Sequence, residues 1–294
     1  MSTLTLPAWR SLLYVPADKP TFIERAAERG ADAIILDLED GVASEHKEAA
    51  RAGLLEAARF LRAQGAVVLV RVNRPWRLAW RDLEAAVTAE VAAILLPKVE
   101  DEATIIVVDA FLAELEGDSG VTLPVIPLLE SARGIARAHH LLSASARIAA
   151  VVPGNEDVAA DLGIEPEPDL LIHTHSPVIL AAAAARVSLI GLIGSGANFC
   201  DLDTYRVRAQ LAKRWGFQGA TCIHPAQIPI LNDVFSPTAD EVSWARDTVS
   251  AFTAAGSVPT RMEGQMIDQP VYLRARRLLQ RADRQARNKP SGGG

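Results

Sequence analysis

Charged and polar residues recur in this sequence directly after short apolar runs that are typical of buried strands. They are Asp37 with Glu39 and Asp40, Arg71, Lys98, Glu130, the pair Glu156 and Asp157, and His224. A buried, ionised carboxylate costs several kcal/mol unless a cation, hydrogen-bond donors or water lie nearby. Capping of helices could explain any one of these positions. Their shared position at strand ends instead favours one active site that is assembled from several strands.

Glu130 and Asp157 are the predicted metal ligands. Each follows an apolar run by no more than a few residues, so the two carboxylates would converge from adjacent strands. Hard oxygen ligands without a neighbouring Cys or His set favour Mg²⁺, with Mn²⁺ as the alternative. Water and substrate would then complete the coordination shell.

Two further features suit a substrate anion. The turn at Gly154 predicts that the backbone amides of Glu156 and Asp157 lie at the start of a helix, where they can bind a carboxylate. Gly154, Glu156 and Asp157 are therefore predicted substrate-binding residues. Arg71 supplies a permanent planar cation for a carboxylate or for a carbonyl oxygen that develops charge. If these groups meet, the ligand is a small 2-keto or 2-hydroxy acid.

The elements that must position these residues follow a regular alternation. Eight short apolar runs alternate with amphipathic stretches, at 11–16, 33–37, 66–72, 92–98, 123–130, 148–154, 187–193 and 219–225. This pattern predicts an α/β protein with a (β/α)8 TIM barrel. The predicted domains are the barrel (1–235), a C-terminal helical extension (236–287) and a disordered tail (288–294).

Composition excludes several other classes of protein. The chain has 294 residues, 49% of them hydrophobic, and a net charge of −6, which argues against a nucleic-acid or membrane-surface role. Its two cysteines cannot form a disulfide framework. No stretch reaches the roughly 18 apolar residues of a membrane span. These features predict a cytoplasmic protein.

Other catalytic motifs are weaker. Ser131 lacks the Gly-x-Ser-x-Gly elbow of a serine hydrolase, and helix capping explains it better. The glycine-rich segment 191–196 lacks the lysine of a phosphate-binding loop. His173 and His175 have a spacing that could suit a metal, but no companion ligand is visible, which favours polar pocket or turn residues.

The same residues carry a resemblance to a known family. The motifs are RSLLYVPADKP, ADAIILDLEDGV, VRVN, LPKVE, LLESARGI, GNEDVAADLG, GFQGATCIHPAQI and GQMIDQPV. In this order they resemble the citrate lyase β-subunit-like branch of the HpcH/HpaI aldolase superfamily, over about residues 10–285. The resemblance implies a Mg²⁺-dependent barrel enzyme that forms homotrimers or hexamers.

The implied reaction cleaves or forms the C–C bond of a 3-hydroxyacyl-CoA thioester of malyl- or citramalyl-CoA type. The products of cleavage are acetyl-CoA, or a homologue, and a 2-keto acid. The alternatives are a malyl-CoA-type thioesterase, a citrate lyase β subunit that acts on an acyl-carrier-protein thioester within a complex, an aldolase on free keto acids, and a catalytically silent homologue.

The resemblance also implies roles for individual residues. Glu130 and Asp157 match the metal ligands, and Arg71 matches the arginine that holds substrate oxygens. Asp268 matches an acid/base that acts in the active site of an adjacent subunit. Lys19 lies in the region that corresponds to the binding of CoA phosphates.

The remaining acids at the strand ends then become supporting groups. Asp37 is expected to hold Arg71 or Lys98 in place, since a buried carboxylate needs such a partner. Glu39 and Asp40 are expected to bond metal-bound waters, although Asp40 could instead cap the following helix.

Two segments depart from the family pattern. HTHSP (173–177) stands where ARSR is usual. After the seventh strand the family usually has three aspartates, whereas this chain has Ile193 and Asn198 at the first two positions and keeps Asp201. Both segments lie on the predicted substrate side, so they predict a change of substrate rather than of chemistry.

Overall fold

The computed structural model describes residues 4, 6–119, 121–262 and 264–287, so the predicted tail 288–294 lies outside the described residues. The chain divides into two compact units, Met1–Asp233 and Val234–Gly294. The predicted domain functions stay predictions.

Every apolar run that predicted a barrel strand contains one. The strands of the first unit are β1 Ser11–Pro16, β2 Ala33–Asp37, β3 Val68–Arg71, β4 Ala93–Leu96, β5 Val125–Leu129, β6 Ala150–Pro153, β7 Ser188–Leu189 and β8 Ala220–Cys222. Their side chains are almost all buried, because helices cover the outer face of a parallel barrel while side chains fill its interior.

The strands form one parallel sheet in the order β7-β6-β5-β4-β3-β2-β1-β8. The register pairs Pro16 with Asp37 and Asp37 with Arg71, so these strand ends lie side by side. Among the described residues, β7 and β8 are joined by a single bridge, Ile190 to Gly219, with a 2.9 Å hydrogen bond from Gly191 N to Gly219 O. The sheet therefore closes into the predicted (β/α)8 barrel.

One or two helices follow each strand of the first unit, and the last two helices belong to the second unit. The helices are α1 Pro20–Ala26, α2 Lys47–Ala52, α3 Leu54–Ala63, α4 Trp76–Thr88, α5 Glu102–Glu116, α6 Ala132–Ala136, α7 Ala138–Ser143, α8 Asn155–Leu162, α9 Pro168–Ala185, α10 Leu202–Arg214, α11 Ile228–Val234, α12 Ala239–Ala254 and α13 Gln269–Arg287. Within the described residues, none of them is both long and apolar enough to cross a membrane.

The interior of the barrel is filled with apolar side chains from successive strands. They include Leu12, Ile35, Leu69, Leu95, Ile126, Leu128 and Val152. Full burial of one such side chain contributes about 1.5–3 kcal/mol relative to exposure. A filled interior leaves the carboxyl ends of the strands as the place where polar groups can meet a ligand.

The second unit consists of two helices and a hairpin. Thr238 begins α12 with a capping box, since its hydroxyl accepts a 3.1 Å bond from Glu241 N and its own N–H donates to the Glu241 carboxylate. The hairpin pairs β9 (Thr260–Met262) with β10 (Gln265–Ile267). The rings of Phe252 and Tyr272 stack at 4.8 Å and join α12 to α13.

Candidate active site

A cavity of about 210 Å³ opens at the carboxyl ends of the barrel strands; we call it the site cavity. Its lining combines Arg71 from the end of β3, Glu130 from the end of β5, and Glu156 and Asp157 from the start of α8. Four residues that sequence patterns select from three different strands therefore line one cavity.

Glu130 is held by the backbone of the neighbouring strand end. Lys98 N donates a 2.8 Å hydrogen bond to Glu130 Oε2. Lys98 adopts a left-handed backbone conformation, with φ of 53°, which a non-glycine residue rarely adopts. Desolvation of the Glu130 carboxyl group, together with the negative charges of Glu39 and Asp157, raises the pKa of Glu130 to about 7. The protein thus keeps a carboxyl group where its charged form is disfavoured.

Gly154 makes room for this carboxyl group. A Cβ atom at residue 154 would lie 2.7 Å from Glu130 Cγ, a distance that side chains do not tolerate. Gly154 N also donates a 2.9 Å hydrogen bond to Leu129 O, which fixes the turn against β5. The predicted substrate-binding residue Gly154 therefore also sets the position of Glu130.

The start of α8 brings two more acids to the cavity. Glu156 and Asp157 lie in the first turn of the helix, where the helix dipole stabilises negative charge. Ser195 donates a hydrogen bond from its hydroxyl to Glu156 Oε1. Asp157 remains exposed to solvent beside the cavity, so its carboxylate is available to a ligand.

The carboxyl ends of β2, β3 and β4 carry a second group of charges, the β2–β4 cluster: Asp37, Glu39, Asp40, Arg71 and Lys98. Arg71 donates two hydrogen bonds of 2.7 Å, from Nε and Nη2, to the two oxygens of Asp37. The backbone amides of Glu39 and Gly41 donate to the same carboxylate. Asp37 is only 2% exposed, so its charge is neutralised inside the protein.

Glu39 is the least satisfied member of this cluster. Its Oε1 lies 2.9 Å from Lys98 Nζ and its Oε2 lies 3.1 Å from Arg71 Nη1. Neither oxygen accepts a well-oriented hydrogen bond, although both are buried. Burial raises the pKa of Glu39, while the charges of Arg71 and Lys98 oppose that rise. These oxygens can therefore accept a further donor such as an ordered water.

Asp40 differs from its neighbours because its side chain is 61% exposed. It lies 3.7 Å from Arg71 and 3.6 Å from Lys98, which gives weak ion pairs at the protein surface.

The donor set fits a Mg²⁺ ion held by two carboxylates. Glu130 and Asp157 are close enough for the charge of Asp157 to raise the pKa of Glu130, and a divalent cation would reverse that shift. In the described part of the chain, no three residues among His, Cys, Asp and Glu form a complete ligand set. Mg²⁺ commonly uses one or two carboxylates and completes its shell with water and substrate, which matches this arrangement.

His175 contributes to the site in a way that sequence patterns do not reveal. It lies within α9 and is fully buried, and its Nε2 lies 2.7 Å from Asn155 Oδ1 at the start of α8. Burial lowers the pKa of His175 to about 4, so the ring is neutral and its Nε2–H donates to the amide oxygen. Asn155 lines the site cavity, so His175 fixes the orientation of an amide at the cavity wall.

Comparison with known proteins identifies the family. A model of the HpcH/HpaI aldolase/citrate lyase family matches residues 10–225. The chain belongs to this family. The predicted family and its enzyme class, the citrate lyase β-like carbon–carbon lyases, are thereby confirmed.

Relatives cover nearly the whole chain. The citrate lyase subunit beta of Leuconostoc mesenteroides subsp. cremoris is 31% identical over 93% of this chain and 93% of its own. A (3S)-malyl-CoA thioesterase of Cereibacter sphaeroides is 34% identical over 94% of this chain and 95% of its own. The structure of CitE from Mycobacterium tuberculosis, in complex with magnesium, acetoacetate and coenzyme A, has a TM-score of 0.74 at 31% identity and covers 95% of this chain and 98% of its own.

This family member has a second cavity, of about 440 Å³, which we call the adjoining cavity. Tyr14 and Ile223 line both cavities, so the two are neighbours. Arg25 and Arg29 from α1 and the segment that follows it line the adjoining cavity. Lys19, which the family resemblance selects for CoA phosphates, lines neither cavity and instead bonds Asp18 at 2.9 Å.

The predicted acid/base of this family member, Asp268, lies in the second unit. Asp268 Oδ1 accepts a 3.1 Å hydrogen bond from Val271 N, and its carbonyl oxygen accepts one from Tyr272 N. Both bonds cap the start of α13. This helix-capping contact gives Asp268 a structural role. Any test of a catalytic role must therefore leave the cap of α13 intact.

The remaining strand-end residue, His224, serves as a cap. Its Nδ1 accepts a 3.2 Å hydrogen bond from Ala226 N, and its ring stacks on Phe199 at 4.7 Å. In the segment that departs from the family pattern, Asp201 caps α10 through a 3.0 Å bond from Thr204 N, and Ile193 is fully buried.

Proposed function

We propose that this protein is a cytoplasmic, Mg²⁺-dependent carbon–carbon lyase that acts on a 3-hydroxyacyl-CoA thioester of malyl- or citramalyl-CoA type. The observation that carries the proposal is the pair of neighbouring cavities. One offers two carboxylates for a metal, and the other offers two arginines over an apolar floor. A thioester with a chelating acid at one end and a phosphorylated tail at the other matches both.

Glu130 and Asp157 would hold the Mg²⁺ ion. When bound there, the ion would act as a Lewis acid that lowers the pKa of the substrate hydroxyl. Glu39 fits a supporting role, since neither of its buried oxygens has a well-oriented hydrogen bond and either could accept one from a metal-bound water. Asp37 and Lys98 would keep Arg71 and Glu130 in place through the contacts described above.

Arg71 and the start of α8 would bind the substrate oxygens. The bonds from Arg71 Nε and Nη2 to Asp37 fix the plane of the guanidinium group, and the remaining N–H groups can donate to a substrate carbonyl or carboxylate. The backbone amides at Glu156 and Asp157 offer donors to the substrate carboxylate.

Asp268 would move the proton at the carbon of the thioester enolate. A base removes the proton of the substrate hydroxyl, and cleavage of the C–C bond then releases the 2-keto acid and leaves this enolate. The Asp268 carboxyl group gives a proton to the enolate carbon to form acetyl-CoA or a homologue. In the direction of condensation it removes the same proton. We propose that Asp268 acts in the site of a neighbouring subunit of a homotrimer or hexamer, so that activity requires assembly.

Two relatives support alternative activities. The similarity to a (3S)-malyl-CoA thioesterase supports hydrolysis of the thioester, which yields free CoA and a hydroxy acid. The similarity to a citrate lyase subunit beta supports action on an acyl-carrier-protein thioester within a complex.

An assay of the purified protein tests the proposed function. The protein is incubated with malyl-, methylmalyl- and citramalyl-CoA, with Mg²⁺ or with EDTA, and products are identified by mass. A 2-keto acid with a shorter acyl-CoA supports the lyase, whereas free CoA with a hydroxy acid supports the thioesterase. Absence of any metal-dependent turnover of a CoA thioester contradicts both, and an acyl-carrier-protein thioester then tests the third activity.

The variant Asp268→Asn tests the role of Asp268. Asparagine caps helices as well as aspartate does, so α13 keeps its start while the proton-transfer group is lost. We expect turnover to fall at least about 100-fold, with Mg²⁺ binding and thermal unfolding unchanged. Activity close to wild type would leave Asp268 with the capping role alone.

A further inference from the structure

The charged groups of the site cavity are mostly negative. Among the described residues that line it, Glu130, Glu156 and Asp157 are acids and Arg71 is the one cation. Arg71 is already bonded to Asp37, so its charge is largely neutralised. The proposed Mg²⁺ ion and Arg71 together can serve one substrate carboxylate, but a second carboxylate elsewhere in the cavity would meet acids.

One wall of the cavity consists of small and apolar residues. The loop that follows β7 contributes Gly191, Leu192, Gly196 and Ala197, none of which carries a side-chain hydrogen-bond donor or a charge. We call these four residues the loop wall. The hydroxyl group of the same loop, on Ser195, is occupied by its bond to Glu156. The loop wall therefore offers contact area but no charge to a ligand.

The loop wall is held in place by two polar side chains, one half-buried and one fully buried. Arg208 donates a 2.8 Å hydrogen bond to Ser195 O, and Gln227 donates a 2.9 Å bond to Gly196 O. The oxygen of Gln227, which is fully buried, accepts bonds from Ile223 N and His224 N at the end of β8. Because both ends of Gln227 are engaged, the wall has a defined shape.

We propose that the loop wall receives an uncharged alkyl substituent of the 2-keto acid portion of the substrate. The enzyme then acts on thioesters whose released keto acid carries one carboxylate, and it discriminates against those whose keto acid carries two. The physical reason is that a second carboxylate at this wall would lose its hydration without gaining a cation or a side-chain donor. This proposal rests on the proposed lyase function.

The wild-type protein gives the first test. We expect kcat/KM for citramalyl-CoA, which releases pyruvate, to exceed that for citryl-CoA, which releases oxaloacetate, by at least about 100-fold. Each further methylene of the keto acid that reaches the wall is expected to tighten binding by roughly fourfold while space remains. A preference for citryl-CoA would overturn the proposal.

A charge added at the wall gives the second test. Ala197 is exposed, so the chain can accommodate Ala197→Lys, with Ala197→Met as the matched uncharged control. The lysine is expected to reduce the preference for citramalyl-CoA over citryl-CoA at least tenfold, whereas the methionine is expected to leave the ratio within about threefold of wild type. An equal effect of both substitutions would show that size, not charge, sets the preference.

Binding of the free keto acids separates this proposal from the proposed function. Titration calorimetry with Mg²⁺ present compares 2-oxobutanoate, glyoxylate and oxaloacetate. The expected order of affinity is 2-oxobutanoate, glyoxylate, oxaloacetate. If no thioester is turned over but this order holds, the lyase function fails while the role of the loop wall stands. Tightest binding of oxaloacetate would overturn the role of the loop wall whether or not turnover is seen.

Discussion

The β2–β4 cluster and the acids at the ends of β5 and β6 lie on the same rim of the barrel. They differ in how far the protein compensates the negative charge of their carboxylates. In the first, Asp37 receives two bonds from Arg71 and two from backbone amides. In the second, Glu130 receives one backbone bond, and the charges of Glu39 and Asp157 act against its ionisation.

This difference distinguishes carboxylates that hold neighbouring side chains in place from carboxylates that bind a ligand. A carboxylate whose donors are all supplied by the protein is already stable and has little to gain from a ligand. A carboxylate that is held beside other acids gains the most when a cation arrives. We therefore expect the pair of Asp37 and Arg71 to keep its arrangement with or without ligand, while Glu130 loses its proton when a cation binds.

Loss of the internal cation should have the largest effect, and it should act on stability. Arg71→Met leaves Asp37 buried without its partner, which is expected to lower the free energy of unfolding by about 3–5 kcal/mol. Urea denaturation followed by circular dichroism measures this change. The double variant Asp37→Asn with Arg71→Met should recover part of the loss, because it removes the unpaired charge. A single variant as stable as wild type would contradict the idea of a self-neutralised cluster.

Removal of the negative charge of Glu130, at the end of β5, should lower activity and leave stability unchanged. Glu130→Gln keeps the shape of the side chain and an acceptor for the bond from Lys98 N, but it removes the carboxylate that we propose as a metal ligand. We expect turnover to fall at least about 100-fold, with the metal-free protein at least as stable as wild type above pH 7. Destabilisation comparable to that of Arg71→Met would erase the contrast between the two sides.

The pH dependence of Mg²⁺ binding gives a smaller effect. The pKa of Glu130 is raised to about 7 from 4.5. In the metal-free protein, the contribution of this carboxyl group to the stability of the folded state is therefore complete below pH 4.5 and is lost as pH rises through 7. Mg²⁺ must displace the proton below pH 7, so its affinity should be about tenfold weaker at pH 6 than at pH 8. Calorimetry at both pH values measures this ratio, and Glu130→Gln should abolish it.

The smallest expected effect concerns His175. His175→Leu removes the donor to Asn155, whereas His175→Gln keeps one, so KM should rise about fivefold in the first variant and less than twofold in the second. The pKa of His175 is lowered to about 4 from 6.5, so the buried ring costs stability as pH falls from 6.5 towards 4. Both variants should show a weaker loss of stability over that range in thermal unfolding. Equal KM values in both variants would show that His175 does not position Asn155.

The sequence predicts the barrel well because a buried strand is encoded locally as a short apolar run. The seventh run, 187–193, is the exception, since only Ser188–Leu189 forms a strand. Gly191 follows with φ of 149°, within the range that side chains rarely adopt, and the chain leaves the sheet there. A glycine in an apolar run does not show by itself where pairing stops.

The site is predicted less completely, because contacts between distant segments leave no periodic signal. The strand-end pattern selects Arg71, Glu130 and Asp157, which all line the site cavity. His175 is predicted only as a polar pocket or turn residue, and its contact with Asn155 is missed because that partner lies 20 residues away on another helix. The arginines of the adjoining cavity are missed because they lie in an ordinary surface pattern of α1 and the turn after it. The catalytic and metal-binding roles themselves stay predictions.

The closure of the barrel has a consequence for its dynamics and its evolution. Seven neighbouring strand pairs are joined by ladders, whereas among the described residues β7 and β8 meet through one bridge at Ile190 and Gly219. Few hydrogen bonds must break to separate β7 from β8, a contact that we call the seam. The amide of Gly191 should therefore exchange its hydrogen through a local opening whose free energy is well below that of global unfolding. The loop wall begins at the same seam. Mutations that change the shape of the loop wall therefore affect the strand contact with the fewest hydrogen bonds. New substrate preferences can arise there without loss of the folded core.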